Sequence, residues 1–192
     1  MKKTTIFFDF ETGGVLAEQP SIQLAAIATL DETGEELGSF EQKIQFDPSQ
    51  CNPEALKLNG WAAENWRDAV LPLVAAAKFA LFAEPYKCVE MVSKRTGNPY
   101  QVAKGAGYNA LTFDWPRLKA LFGTRFLPIS YHIRDVLQRT IFYFDEHGNP
   151  PKDFKLSTVC EHFNIETKGA HDALVDVRLT ANLYQKIKQK TV

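Results

Sequence analysis

Thr4-Thr5-Ile6-Phe7-Phe8-Asp9-Phe10-Glu11-Thr12 begins as a β-branched and aromatic run, which predicts a strand over Thr4 to Phe10. Successive strand side chains alternate between faces, so Asp9 and Glu11 project together at the strand's carboxyl end. Two neighbouring carboxylates on an otherwise apolar strand repel each other, and burying them costs free energy. A bound divalent cation relieves both problems. Fraying of the strand end into solvent is the other reading of the pair.

Downstream, the near-continuous apolar run Ser21 to Leu30 predicts a second strand and Asp31-Glu32-Thr33-Gly34 a turn. The alternation of Phe40, Gln42, Ile44 and Phe46 predicts a third strand over Phe40 to Phe46, and three strands with short links predict an antiparallel meander. The pattern then becomes helical. Asn52 ahead of Pro53 predicts a capped short helix over Pro53 to Asn59, and Asn65 to Ala83 reads as a longer helical stretch bent at Pro72. Glu84 to Lys104 holds Pro85, Gly97, Asn98 and Pro99 and reads as an excursion or insertion. A short strand is expected over Gly105 to Asn109, a helix over Asp114 to Phe122, a strand over Ile129 to His132 and a helix over Ile133 to Phe142. A turn-rich loop follows over Asp145 to Pro151, then a short helix over Ser157 to Phe163 with Ser157 as cap, and a final helix over Asp172 to Lys188. This order of elements predicts one α/β domain with a mixed sheet.

A chain of 192 residues suits a domain of ordinary size. A hydrophobic fraction of 45% with 23% charged residues excludes disordered and fibrous classes. Cys51, Cys88 and Cys160 are scattered and form no C-x-x-C pair, which argues against a disulfide framework or a structural zinc site and for a reducing compartment. Met1-Lys2-Lys3 leads into an apolar run too short and too acidic for a signal peptide. Ala69 to Ala83, the longest apolar stretch, contains Pro72 and Lys78 and falls short of the ~20 residues that cross a bilayer. A soluble, cytoplasmic protein with no membrane partner is expected. The net charge of −1 argues against a protein that coats long stretches of nucleic acid; it is compatible with an enzyme that grips a few nucleotides through metals and local contacts.

Three more groups draw notice. Asp114, in Tyr108-Asn109-Ala110-Leu111-Thr112-Phe113-Asp114-Trp115-Pro116, reads by itself as a helix cap. In the last helix Ala173, Leu174, Val177, Ala181, Tyr184 and Ile187 form the core stripe, and Asp176 falls on its border near the helix start. Asp172 reads as that helix's N-cap, and His171 lies in the loop before it, where a surface position is the simpler reading.

Taken in order, these residues make the chain resemble the DnaQ-like DEDD family of 3′–5′ exonucleases, in its histidine-containing branch. The family's D-x-E-T motif is matched by Asp9-Phe10-Glu11-Thr12 on the first strand. Its Asn followed shortly by Phe-Asp is matched by Asn109 and Phe113-Asp114, and its H-x-A-x-x-D by His171-Asp172-Ala173-Leu174-Val175-Asp176. Pro53 to Gly60 and Lys155 to Cys160 are similar to family segments at those places, so the resemblance spans nearly the whole chain. Each motif alone is weakly specific, and the three together are strongly so. The chain departs from the family at Gly13-Gly14 after Thr12 and at Gln23, where Glu is frequent. It departs also in a longer gap from Asn109 to Asp114, and in the Glu84–Lys104 segment.

The resemblance implies a ribonuclease H-like α/β fold, a five-stranded mixed sheet flanked by helices. It implies one exonuclease domain over residues 1–192 with an insertion at about 84–104. Asp9, Glu11, Asp114 and Asp176 would hold two ions, Mg²⁺ or Mn²⁺, since oxygen-only ligands suit these rather than zinc. Two ions ~3.5–4 Å apart clamp the attacking and leaving oxygens of an in-line displacement. Asp9 is the natural bridge, and His171 the general base towards water. The product would be a nucleoside 5′-monophosphate. Single-stranded DNA is the favoured substrate. RNA is the alternative, since discrimination rests on a 2′-hydroxyl contact. A non-catalytic nucleic-acid-binding module on the same fold is the alternative of another class. Phe10, Thr12, Asn109 and Trp61 are the candidate contacts to the terminal nucleotide, Trp61 by stacking. Core packing is the other reading of Phe10 and Trp61. A monomer or homodimer is expected, and a polymerase or repair partner stays open. The Glu84–Lys104 segment carries Lys87, Lys94, Arg95 and Lys104, and reads as a border of the nucleic-acid entrance or as a solvated elaboration.

Overall fold

The computed structural model describes residues 2–16, 18–169 and 172–191. It opens with the expected meander of β1 (Thr4–Thr12), β2 (Ser21–Leu30) and β3 (Glu36–Lys43). β3 starts earlier than its side-chain alternation predicts. It pairs with β2 directly from the intervening turn, Glu36 opposite Thr29, so strand pairing sets its position, and Ile44 keeps only a single bridge to Val70. The remaining elements are α1 (Pro53–Leu58), α2 (Pro72–Ala83), β4 (Val89–Val92), β5 (Pro99–Val102), β6 (Lys104–Gly107), α3 (Asp114–Phe122), β7 (Arg134–Asp135), α4 (Val136–His147), α5 (Leu156–His162) and α6 (Ala173–Lys190).

The main sheet runs β3-β2-β1-β6-β7. β6 and β7 join parallel to β1 and to each other, giving a five-stranded mixed sheet with helices on both faces. The two-residue period of β1 divides the core. Ile6, Phe8 and Phe10 pack with Leu24 and Ala26 against Phe79 of α2 and Leu118 and Phe122 of α3. Phe7 faces the other way, with Ala25 and Ile27, against Val136, Val159, Val177, Leu183 and Ile187 of α4, α5 and α6. Each fully buried Phe, Leu or Ile contributes roughly 1.5–3 kcal/mol. The same period sends Asp9 and Glu11 to the α6 side.

Several expectations are corrected. Pro72 does not bend a long helix. It opens α2, where its missing N–H is no loss, behind a separate short 3₁₀ turn at Ala63–Trp66. Ser157 is not a cap, because α5 already begins at Leu156 with Lys155 at the boundary. Ile129 gives only one bridge, to Ala103, and the strand forms at Arg134–Asp135. α4 then starts at Val136, capped by the Asp135 carboxylate, which accepts from the Gln138 N–H at 3.2 Å, and runs on to His147.

The Glu84–Lys104 segment contains a 3₁₀ turn and the antiparallel hairpin β4–β5. β5 leads into β6, whose Lys104 lies opposite Thr5, and the Thr4 hydroxyl donates to the Tyr86 carbonyl at 3.0 Å. The hairpin is therefore at the amino end of β1, the far end from Asp9 and Glu11. No helix among the described residues is long and apolar enough to cross a membrane.

Candidate metal centre

β1 outruns its parallel neighbour. β6 covers only Thr5 to Phe7, and ends at Gly107, where a methyl group would stand 2.8 Å from the Phe8 carbonyl oxygen. The chain then turns through Asn109 in the left-handed region, φ 57°, and enters α3 at Asp114. The Phe10 N–H, past the end of β6, is taken by the Asp114 carboxylate at 3.0 Å. Asp114 is thus the first residue of α3 and not its cap, which is Phe113, and its carboxylate reaches across to β1. Asp114 is 1% exposed, and its second oxygen, Oδ2, is buried without a hydrogen-bond partner.

α6 brings the fourth carboxylate. Asp172 caps it as expected, Oδ1 accepting from the Leu174 and Val175 N–H groups at 3.1 Å each, and Asp176 follows in the first turn. Asp9, Glu11 and Asp176 are each partly buried. Burial raises the Asp9 carboxyl to about 7, with the Asp176 charge adding to it. Burial raises Glu11 to about 8, reinforced by Asp9, Asp176 and Asp172. Burial also holds Asp114 well above the usual carboxylate range, with Asp9 adding and the Phe10 N–H and Arg117 opposing. Asp9 is the carboxylate whose field links all the others.

Stressed carboxylates with an unpartnered buried oxygen suit a hard divalent cation, and the donor set is oxygen-only. Among the described residues, no three His, Cys, Asp or Glu side chains are set as a ready-made cage for an ion. His171, expected to serve as base, lies outside the described residues.

The four candidate contacts to the terminal nucleotide differ in placement. The Phe10 ring is 3% exposed and belongs to the core between β1, α2 and α3, so only its backbone borders the carboxylates. The Thr12 hydroxyl is buried and donates to the Gly14 carbonyl at 2.7 Å, turned into the loop rather than outward. Asn109 is exposed beyond the end of β6, its Oδ1 accepting from the Thr112 hydroxyl at 2.6 Å. Trp61 is partly exposed and meets Phe46 edge to face, with ring centroids 5.9 Å apart.

Two positioning residues escaped the sequence reading. Asn59 donates from Nδ2 to the Thr12 carbonyl at 2.9 Å, tying the end of α1 to the end of β1. The same tie is reinforced at Gly13, where a methyl group would stand 2.3 Å from Cys51 Sγ. Arg117, one turn along α3 from Asp114, is buried and donates to the carbonyls of Gln19 at 3.0 Å, Leu16 at 3.2 Å and Gly14 at 3.5 Å. It pins the β1–β2 loop against α3. Its place three residues after Asp114 was the available signal.

No protein-family model and no curated protein sequence matches the chain. Solved structures do. The zinc-ion-bound E. coli exonuclease I–ssDNA complex is 22% identical with a TM-score of 0.74, covering 99% of this chain and 41% of that one. E. coli exonuclease I with a dT13 oligonucleotide is 22% identical with a TM-score of 0.72, covering 99% of this chain and 42% of that one. An exonuclease I structure described as suggesting how processivity is achieved is 23% identical with a TM-score of 0.74, covering 98% and 41%. The chain thus spans about two-fifths of those proteins. The likeness shows the fold, which is ribonuclease H-like.

Proposed function

We propose that this chain is a metal-dependent 3′–5′ exonuclease of the DEDD type, in the histidine-containing branch, releasing nucleoside 5′-monophosphates from single-stranded DNA. The observation that supports the reading is Asp114, which reaches from α3 to the Phe10 N–H of β1 with its second oxygen buried and unpartnered, while its carboxyl and those of Asp9 and Glu11 are raised by burial and by one another or Asp176. The fold-level likeness to exonuclease I, solved with single-stranded DNA, supports DNA as the polymer. In this reading residues 1–192 act as a single exonuclease domain and the 84–104 segment is an elaboration of it.

The four carboxylates are the groups that would hold Mg²⁺ or Mn²⁺. When bound, a pair of such ions supplies acidity to water and charge neutralisation to the leaving 3′ oxygen. Asp9 lies in the field of all three other carboxylates, which suits it to serve both ions. Asp114 is held by the Phe10 N–H through one oxygen, leaving the other for an ion. His171 takes the proton from the attacking water in this scheme. Asn59 holds the end of β1 to α1, and Arg117 holds the β1–β2 loop to α3.

The test is incubation with matched single-stranded DNA and RNA, labelled at the 5′ end, with Mg²⁺ or Mn²⁺, beside EDTA and Asp9→Ala controls. A ladder shortening from the 3′ end, absent from both controls, is expected, and DNA is expected to shorten faster. Faster RNA cleavage would replace the substrate. No shortening of either polymer by folded protein would favour the binding-module alternative. His171→Ala is expected to slow the reaction and to recover partly at high pH; an unchanged rate would sink its role as base.

A further inference from the structure

Away from the carboxylates, a groove of about 660 Å³ lies between the β4–β5 hairpin and the segment that follows α3. Its lining is largely apolar and aromatic. Phe126 and Tyr131 are 54% and 56% exposed, although Lys87 lies over the Phe126 ring and His132 against the Tyr131 ring. Tyr100 of the hairpin meets Phe126 edge to face, with centroids 5.7 Å apart, so these rings join the two walls. Lys94, Arg95 and Arg125 stand on the rim, all exposed, and no carboxylate lines the groove among the described residues. The turn that presents Lys94 and Arg95 is held by Gly97, φ 72°, whose N–H donates to the Ser93 carbonyl at 2.8 Å.

The Arg125 guanidinium donates to the Phe122 carbonyl at 3.4 Å, and none of the three cations is neutralised by a carboxylate among the described residues. Lys104 pairs with Asp31 and Lys87 with Glu84, but Lys94, Arg95 and Arg125 join none of the ion pairs among the described residues. In a chain of net charge −1, three cations beside open aromatic rings are a local concentration of one sign. Such a surface complements a polymer that carries regular negative charge and flat apolar faces. Single-stranded nucleic acid has both, with phosphates for the rim and unpaired bases for the rings. An acidic peptide matches the charge but not the exposed rings.

We propose that this groove is a second contact for single-stranded nucleic acid, remote from the strand's cleaved end, with Lys94, Arg95 and Arg125 on phosphates and Phe126 and Tyr131 on bases. It rests on the proposed function for the kind of polymer. The hairpin stands at the far end of β1 from Asp9, about 13 Å from Thr5 to Asp9 along the strand. Trp115, the neighbour of Asp114 in the first turn of α3, is among the lining residues, and in this proposal a long strand runs from the carboxylates into the groove. It therefore acts on long substrates and not on short ones.

The test measures binding of fluorescent oligothymidylates of about 4 and about 20 nucleotides in chelator, with no turnover, over a range of salt. The wild type is compared with a Lys94→Glu/Arg95→Glu/Arg125→Glu triple variant and with Phe126→Ala, each first shown to keep the wild-type Tm. The expected result is at least a tenfold loss for the long oligonucleotide in the triple variant, a salt slope shallower by about 2, and little change for the short one. Phe126→Ala is expected to weaken long-strand binding without changing the salt slope. Equal long-strand binding by both variants overturns the proposal, as does displacement of the oligonucleotide by polyglutamate at equal charge concentration. The two readings fail separately. Loss of long-strand binding in a protein without nuclease activity keeps the groove and removes the exonuclease; shortening with groove-independent binding does the reverse.

Discussion

Asp9 and Glu11 titrate near 3.8 and 4.5 in an unfolded chain and near 7 and 8 in the folded one. Between those values the folded protein holds protons that the unfolded chain has released, so stability falls as pH rises. The metal-free protein is expected to lose Tm steadily from about pH 4 to about pH 8, with the part due to these two groups complete above that range. Asp9→Asn removes one source of the penalty. It is expected to raise the metal-free Tm at about pH 8 by several degrees, at about 2–4 °C per kcal/mol for a chain of this size, while abolishing hydrolysis. Thermal unfolding in chelator checks both. A variant less stable than wild type at that pH would show that the Asp9 charge stabilises the empty site.

At the scale of elements, α3 does two things at the end of β1. Its first residue, Asp114, satisfies the Phe10 N–H, and Arg117 holds three carbonyls of the β1–β2 loop. Arg117→Ala is expected to cost about 2–3 kcal/mol, since hydrogen bonds from a charged group are lost from a buried place. Hydrogen exchange should quicken in residues 13–20 with little change in β2; protection of that loop equal to wild type would contradict the clamp. The extents of β2 and α3 were legible in the sequence, because an unbroken apolar run and an Asp-Trp-Pro start leave few alternatives. The β4–β5 hairpin was not, because its strands have four residues each, too short for their alternation of inner and outer side chains to stand out from the surrounding turn residues. β3 and α5 shifted because pairing with β2 and packing on α6, neither visible locally, set their ends. The carboxylates were legible as an ordered set, whereas Asn59 and Arg117 act on backbone carbonyls brought near only by folding.

For the whole molecule, a net charge of −1 conceals a division along the sheet. Asp9 and Glu11 stand where β1 ends, with Asp114 reaching across to the Phe10 N–H, and Lys94 and Arg95 stand in the hairpin where β1 begins. Acidity at one end is what a cation site requires, and its strength depends on displacing protons from Asp9 and Glu11. Calorimetric titration of Mn²⁺ into the metal-free protein, at about pH 8 and about pH 6 and in buffers of different ionisation enthalpy, reads this directly. Binding with proton release is expected, weaker at the lower pH, abolished by Asp9→Asn and weakened by Asp114→Asn. Binding that ignores both substitutions, or no binding by folded wild-type protein, would contradict a metal centre built from these four carboxylates.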